Sequence, residues 1–262
     1  MKQYGGFERN ILNKFIMTAI IPIVLLLIVF SFLLWYSART VTRKNTDDAS
    51  RQVGEQLRQM SNAYKAECTA LSESKVVRDY IRTGAGSEKV FEEYYSSVSG
   101  QEFRYNFALI DMDRNILIKN NHRDNYKADY SLWQLESDAE KGLRSVERIF
   151  SRRSEEKVQY FTGYGTVIYD DGTPIGYVVY YIDDRGLEKM LGGNGAEEII
   201  VTNEFDTVYA TTWEYARNDY NKIIFSIDKS GNIELDGRDY YVSIFELNDC
   251  GYKVYACGSR TY

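Results

Sequence analysis

One histidine and three cysteines in 262 residues leave little material for a metal centre or a nucleophilic triad. His122 lies in the loop-like run KNNHRDNY, with no zinc-ligand spacing around it and no nucleophile elbow to complete a Ser-His-Asp arrangement. It reads as a surface polar residue. Cys250 and Cys257 stand seven apart in a turn and strand, which separates them by about 23 Å, whereas a disulfide needs Cα atoms about 5.5 Å apart. Cys68 falls on a predicted helix as a small apolar residue. No disulfide framework is expected. A surplus of positive charge is lacking as well: 32 Lys and Arg against 38 Asp and Glu leave a net charge of −6, so nucleic acid is excluded as a partner.

Phosphate loops and acid pairs are equally thin. Gly192-Gly-Asn-Gly195 matches neither the Walker nor the dinucleotide spacing and reads as a linker. Asp111 with Asp113, and Asp183 with Asp184, occupy the ends of predicted strands, where turn acids are common. No catalytic constellation emerges, and no cofactor or metal is expected.

What the chain does have is one long apolar run. Phe15 to Tyr36 reads FIMTAIIPIVLLLIVFSFLLWY without a charge. About 22 residues at 1.5 Å rise span about 33 Å, enough to cross a hydrocarbon core. The run is longer than a signal-peptide core, and Trp35 and Tyr36 stand where a cleavage site would need small residues, so an uncleaved anchor is predicted. Pro22 is tolerated in such a helix, and Trp35 and Tyr36 suit the interface. Flanking charges do not set the orientation, since Lys2, Arg9 and Lys14 precede the span and Arg39, Arg43, Lys44 and Arg51 follow it. Residues 1–14 are read as a cytoplasmic tail, 15–36 as the transmembrane helix, and the remainder as extracytoplasmic.

Beyond the membrane, Val53, Leu57, Met60, Tyr64, Cys68 and Leu71 form one helical stripe. With no proline between Ser37 and Pro174, the spacing predicts a helix over 37–82, stopped by Thr83-Gly-Ala-Gly86. The stripe packs either on the chain's own domain or, in part, on a second subunit as a homodimer. A second helix is predicted around Glu88 to Val98. Strands follow: Phe107–Asp111 and Asn115–Lys119 as a hairpin, Val158 to Tyr169, then Ile175 to Asp183 after an Asp171-Gly172 turn. His122 to Phe150 reads as loops and short helices covering the sheet. Residues 198–210 repeat the hairpin grammar, Asp236-Gly237 followed by Tyr240 to Phe245 repeats the turn and strand, and 252–257 add one strand. The fold class is therefore α+β, with modules at 83–191 and 196–262.

This order, a membrane-proximal helix and then two units of hairpin, helical cover and strands, resembles the double Cache domain, two PAS-like antiparallel sheets outside the membrane in bacterial receptors. Asp171-Gly-Thr-Pro-Ile-Gly-Tyr-Val-Val-Tyr-Tyr-Ile-Asp-Asp-Arg-Gly-Leu-Glu-Lys-Met190 looks like the end of the family's distal module. Leu12 to Arg43 and the polar helix after it resemble the N-terminus of YesM-type sensor histidine kinases. The resemblance implies a non-enzymatic receptor in which a small molecule binds the distal module and the change passes down the long helix. The alternatives are a chemotaxis receptor, or an anchored surface hydrolase with two carboxylates about 5–10 Å apart. A complete receptor of this kind continues through the membrane after the last strand, so the chain is expected to be a fragment or a sensor partner.

Two departures from the family bear on the ligand. In amino-acid-binding members an Asp commonly holds the ligand amine at the position of Tyr181, and Tyr130-Ser-Leu-Trp133 does not reproduce the carboxylate-gripping Arg-x-Trp-Tyr element. Alternation puts Tyr177, Val179 and Tyr181 on one face of the last strand and Val158, Tyr160, Thr162 and Tyr164 on one face of its neighbour. If both face the pocket, Tyr160, Tyr164, Tyr177 and Tyr181, with Trp133 as a lid, suit a sugar-like ligand better than an amino acid. Equally, these aromatics are ordinary core residues.

Overall fold

The computed structural model describes residues 14–100, 105–122, 126–127, 145–153, 158–194, 196, 198–203, 206–212, 224, 229–235 and 237–260. The apolar run enters as a π-helical turn, Ile16–Ile20, and continues as one α-helix, α1, Ile21–Ser72. Pro22 stands two residues after the π-helical turn, a local adjustment of the kind that accommodates a ring without an N–H. Ile16–Ser72 is long and apolar enough to cross a membrane, and its apolar window is 0% buried by the rest of the chain. At 1.5 Å per residue, the 52 residues of α1 reach about 78 Å.

The helix does not run unbroken to residue 82. It ends at Ser72, and α2, Lys75–Thr83, starts afresh because the Ser74 hydroxyl accepts from the N–H groups of Val76 and Val77. Gly84, at φ 69°, closes α2 in the left-handed region, and α3, Ser87–Val98, follows. Ten strands complete the fold: β1 Asn106–Asp111, β2 Ile116–Lys119, β3 Ser145–Arg153, β4 Val158–Asp170, β5 Thr173–Asp183, β6 Glu198–Asn203, β7 Val208–Thr211, β8 Gly231–Leu235, β9 Arg238–Leu247 and β10 Tyr252–Ser259. A short helix, α4, Asp184–Leu191, separates the halves.

Two five-stranded antiparallel sheets result, ordered β2-β1-β5-β4-β3 and β7-β6-β10-β9-β8. Position by position the second order repeats the first, so the weak internal repeat in the sequence is a repeat of topology. Each sheet ends on a strand absent from the sequence prediction. β3 lies partly within the segment read as loops and helices, and β8 precedes the second Asp-Gly turn. Both are edge strands, as β2 and β7 are, but SVERIFSRR and GNIEL are interrupted by charged and polar residues where ILIK and VYAT are nearly continuous in apolar ones, so their strand signal is weaker.

The stripe on α1 is spent inside the chain. Val53, Leu57, Met60, Tyr64, Cys68 and Leu71 are each at most 3% exposed, clustered with Phe107, Leu109, Tyr164, Val178 and Tyr180 of the first sheet and Ile199, Val201, Leu247 and Val254 of the second. A homodimer would have to use another face of the helix. Closer to the apolar run, the second sheet is pinned to α1 by the Tyr241 hydroxyl donating to Asp47 at 2.9 Å and by a Ser50–Ser243 hydroxyl pair at 2.9 Å. Gly54 permits the closest approach: a Cβ there would lie 2.2 Å from the Phe245 ring.

Candidate functional site

The outer face of the first sheet, turned away from α1, is assembled by the register of three strands. Tyr181 pairs with Asn106 on one side and Gly163 on the other; Val179 pairs with Ala108 and Gly165; Tyr177 pairs with Ile110 and Val167. Side chains in one cross-strand row share a face. The middle row, Ala108, Val179 and Gly165, is therefore a shelf of small residues between two bulkier ends. At one end stand Tyr177, Ile110 and Val167, and at the other Tyr181 with Phe161, all in one buried cluster. Gly163 is required where it is: a Cβ would meet the Tyr180 carbonyl at 2.4 Å and the Tyr181 Cβ at 3.1 Å.

Tyr126 closes over this end. Its ring stacks on Tyr181 with centroids 4.1 Å apart and planes 17° from parallel, and Phe161 meets both rings edge-on at 5.9 and 5.8 Å. Tyr181 is 0% exposed. The local chain makes this possible because Asp171 and Gly172, at φ 48° and 83°, form the tight turn that lays β5 back along β4.

Of the sequence-predicted ligand residues, Tyr177 and Tyr181 lie on this face. Tyr164 does not. It pairs with Tyr180, and both belong to the cluster packed on α1. The expected sharing of one face between Tyr164 and Tyr181 is thus corrected: Gly163, not Tyr164, lies opposite Tyr181, which puts the even-numbered residues of β4 on the inner side. Tyr160 is placed by its backbone opposite Ser151 on β3. Trp133 lies outside the described residues. Phe161 and Tyr126 were missed. Gly163 and Gly165, at alternate positions of β4, mark one of its faces as distinct without setting which way that face points; Tyr126 carries no local signal.

The inner side holds buried phenols and a thiol. Burial pushes the hydroxyls of Tyr94, Tyr105 and Tyr180 well above their ordinary range, and pushes the Cys68 thiol up as well. Cys68 Sγ lies 3.5 and 3.4 Å from the carbonyl oxygens of Tyr164 and Val178. One acid of each pair serves a turn or a cap. Asp111 receives the N–H and side-chain amide of Asn115 within the first hairpin, and Asp183 caps α4 by accepting from Gly186 N–H at 2.8 Å. Among the described residues no group of three or more His, Cys, Asp and Glu could hold a metal ion. His122 is exposed at the rim of a shallow cleft of about 440 Å³ beside β2, and a second cleft of about 470 Å³ lies beside α3; neither touches Tyr177 or Tyr181.

This architecture matches solved sensory domains along nearly their whole length. The sensory domain of the Campylobacter jejuni chemoreceptor Tlp3, solved with isoleucine, aligns at TM-score 0.56 and 14% identity, covering 88% of this chain and 96% of that one. The fold is that of a double Cache sensory domain. The ligand-binding domain of Mlp24, solved with asparagine, gives TM-score 0.52 at 18% identity over 85% of this chain and 95% of its own. The extracellular domain of vpHK1S-Z8, assigned as a histidine kinase, gives 0.58 at 13% identity over 84% and 95%. No family model matches the sequence and no curated protein matches it. The matched structures are described as a sensory domain, a ligand-binding domain and an extracellular domain, not as catalytic domains.

Proposed function

We propose that the chain is the extracytoplasmic sensor region of a transmembrane receptor, and that its ligand is a small molecule bound over the outer face of the first sheet. The observation that carries this reading is the double Cache topology standing directly on a helix long and apolar enough to span a bilayer. Residues 83–191 then form the membrane-distal module and 196–262 the proximal one. Chemoreceptor and histidine kinase are both represented among the matched structures. The kinase output is favoured by the similarity of Leu12 to Arg43 to YesM-type sensors.

The sugar-like expectation loses its basis, because it required Tyr164 to join Tyr177 and Tyr181 on one face. Matched domains were solved with isoleucine, valine and asparagine, and the small shelf of Ala108, Val179 and Gly165 suits an aliphatic group. The ligand proposed here is therefore an amino acid or related acid with an apolar side chain lying on that shelf. Tyr181 supplies no carboxylate for that ligand's amine.

A thermal-shift titration of the full chain in detergent tests this, since a ligand at about 100 times its Kd stabilises by about 2.7 kcal/mol. Aliphatic amino acids are expected to raise Tm. Stabilisation by sugars alone would overturn the ligand class, and stabilisation by none of the amino acids, organic acids or sugars would overturn the sensor reading.

A further inference from the structure

Thr162 and Tyr252 belong to different sheets, yet their hydroxyls are hydrogen-bonded to each other and the two residues are 0% and 2% exposed. Thr162 stands one residue after Phe161 on β4. Alternation sends Phe161 to the outer face, against Tyr126 and Tyr181, and Thr162 to the inner side. Any displacement of the outer aromatic cluster that moves the β4 backbone at Phe161 therefore moves Thr162.

Tyr252 begins β10, the central strand of the second sheet, bonded to β6 and β9 on its two sides. Six residues further on, about 20 Å along an extended strand, Gly258 meets α1. A Cβ at Gly258 would lie 2.4 Å from Thr46 Oγ1 and 2.9 Å from Thr42 Cγ2, so the strand backbone rests directly on the helix there. Thr42 is six residues beyond Tyr36, the end of the apolar run, about 9 Å at 1.5 Å rise. One central strand thus touches the distal module at its first residue and the foot of the membrane helix near its last.

We propose that β10 is a transmission strut, with the Thr162–Tyr252 hydroxyl pair as its upper contact and Gly258 against Thr42 and Thr46 as its lower one. Thr162 and Tyr252 are positioning residues; neither touches ligand. A hydroxyl pair buried at a module boundary makes a discrete rather than a sliding contact, because separating it strands two buried polar groups at once. Coupling thereby has a route through the second sheet that is distinct from simple propagation along α1. The purpose of the strut rests on the sensor reading, but its mechanics do not require a ligand.

Hydrogen exchange on the full chain in lipid nanodiscs tests it. Thr162→Val is expected to accelerate exchange about fivefold in β10 and at residues 42–46, in the module and helix it does not belong to, and Tyr252→Phe to do the same in β4. The double variant should exceed neither single one, and Thr162→Ser, which keeps the hydroxyl, should restore the parent pattern. Acceleration confined to the substituted module, additive effects in the double variant, or a uniform loss of protection that includes the edge strands would each overturn the strut. A failed strut leaves the thermal-shift result standing, so the two readings fail separately.

Discussion

Tyr126 lies flat on Tyr181, with ring centroids 4.1 Å apart, so Tyr181 is the base of an aromatic stack. Removing the lower ring should open this end of the face. Tyr181→Ala is expected to weaken the stabilising ligand at least about tenfold and to destabilise the chain by about 3–5 kcal/mol, the cost of truncating a buried aromatic. Tyr181→Phe keeps the stack and should lose about 1 kcal/mol or less. Calorimetric titration and melting of the two variants check both values; equal binding by Tyr181→Ala would remove this residue from the site.

Cys68 and Cys257 are buried and Cys250 is partly exposed, all three as free thiols. Burial raises the Cys68 pKa well above 9.0, so little thiolate is present at about pH 8. Brief alkylation of the folded protein should modify Cys250 alone, and denaturant should release the other two. Mass spectrometry of the adducts decides it, and early labelling of Cys68 would contradict its packing under Tyr164 and Val178.

Alkaline pH should unfold the chain cooperatively. The phenols of Tyr94, Tyr105 and Tyr180 are raised above their ordinary value of 10.0, chiefly by burial. A folded-state pKa raised above the unfolded one means that the unfolded chain releases these protons first. The stability they contribute is therefore present below pH 10.0 and is lost as pH rises beyond it. Denaturant midpoints measured from about pH 8 to 11 should fall only in the upper part of the range. Tyr180→Phe should flatten that fall.

Along α1 the two sides of the helix should answer differently to mutation. Leu57→Ala removes a 0% exposed side chain and is expected to cost about 2–5 kcal/mol, whereas Gln59→Ala on the exposed side should stay within about 0.5 kcal/mol. Gly54→Ala gains helix propensity but drives a methyl into the Phe245 ring, so the sign of its effect reports whether that ring can yield. Denaturant unfolding of the three variants provides the comparison. A destabilising Gln59→Ala would point to a partner on the outer side of the helix.

Much of this architecture was legible in residues. The apolar run, the α1 stripe, the Asp171-Gly172 turn, the linker near Gly193 and the repeated hairpin all follow from local periodicity and turn chemistry. The break at Ser74 was visible in principle, since a serine ahead of an apolar turn is a capping signal, yet an uninterrupted helix was equally compatible with the pattern. β3 and β8 escaped because charged and polar residues interrupt SVERIFSRR and GNIEL, whereas the other two edge strands, ILIK and VYAT, are nearly continuous in apolar ones.

The sequence by itself determined the long apolar helix, the α+β class and the two-fold grammar of the sheets, because each depends on residues within a few positions of one another. It could not determine which side of β4 faces outward. That choice is made by pairing Gly163 with Tyr181, eighteen positions away, and a shift of one residue in that register would exchange Tyr164 for Gly163 on the outer face. Tyr126 on Tyr181, and Thr162 on Tyr252, likewise join residues that no local rule connects. Only the folded chain, with α1 covering one side of both sheets, decides which tyrosines pack against the helix and which lie on the outer face.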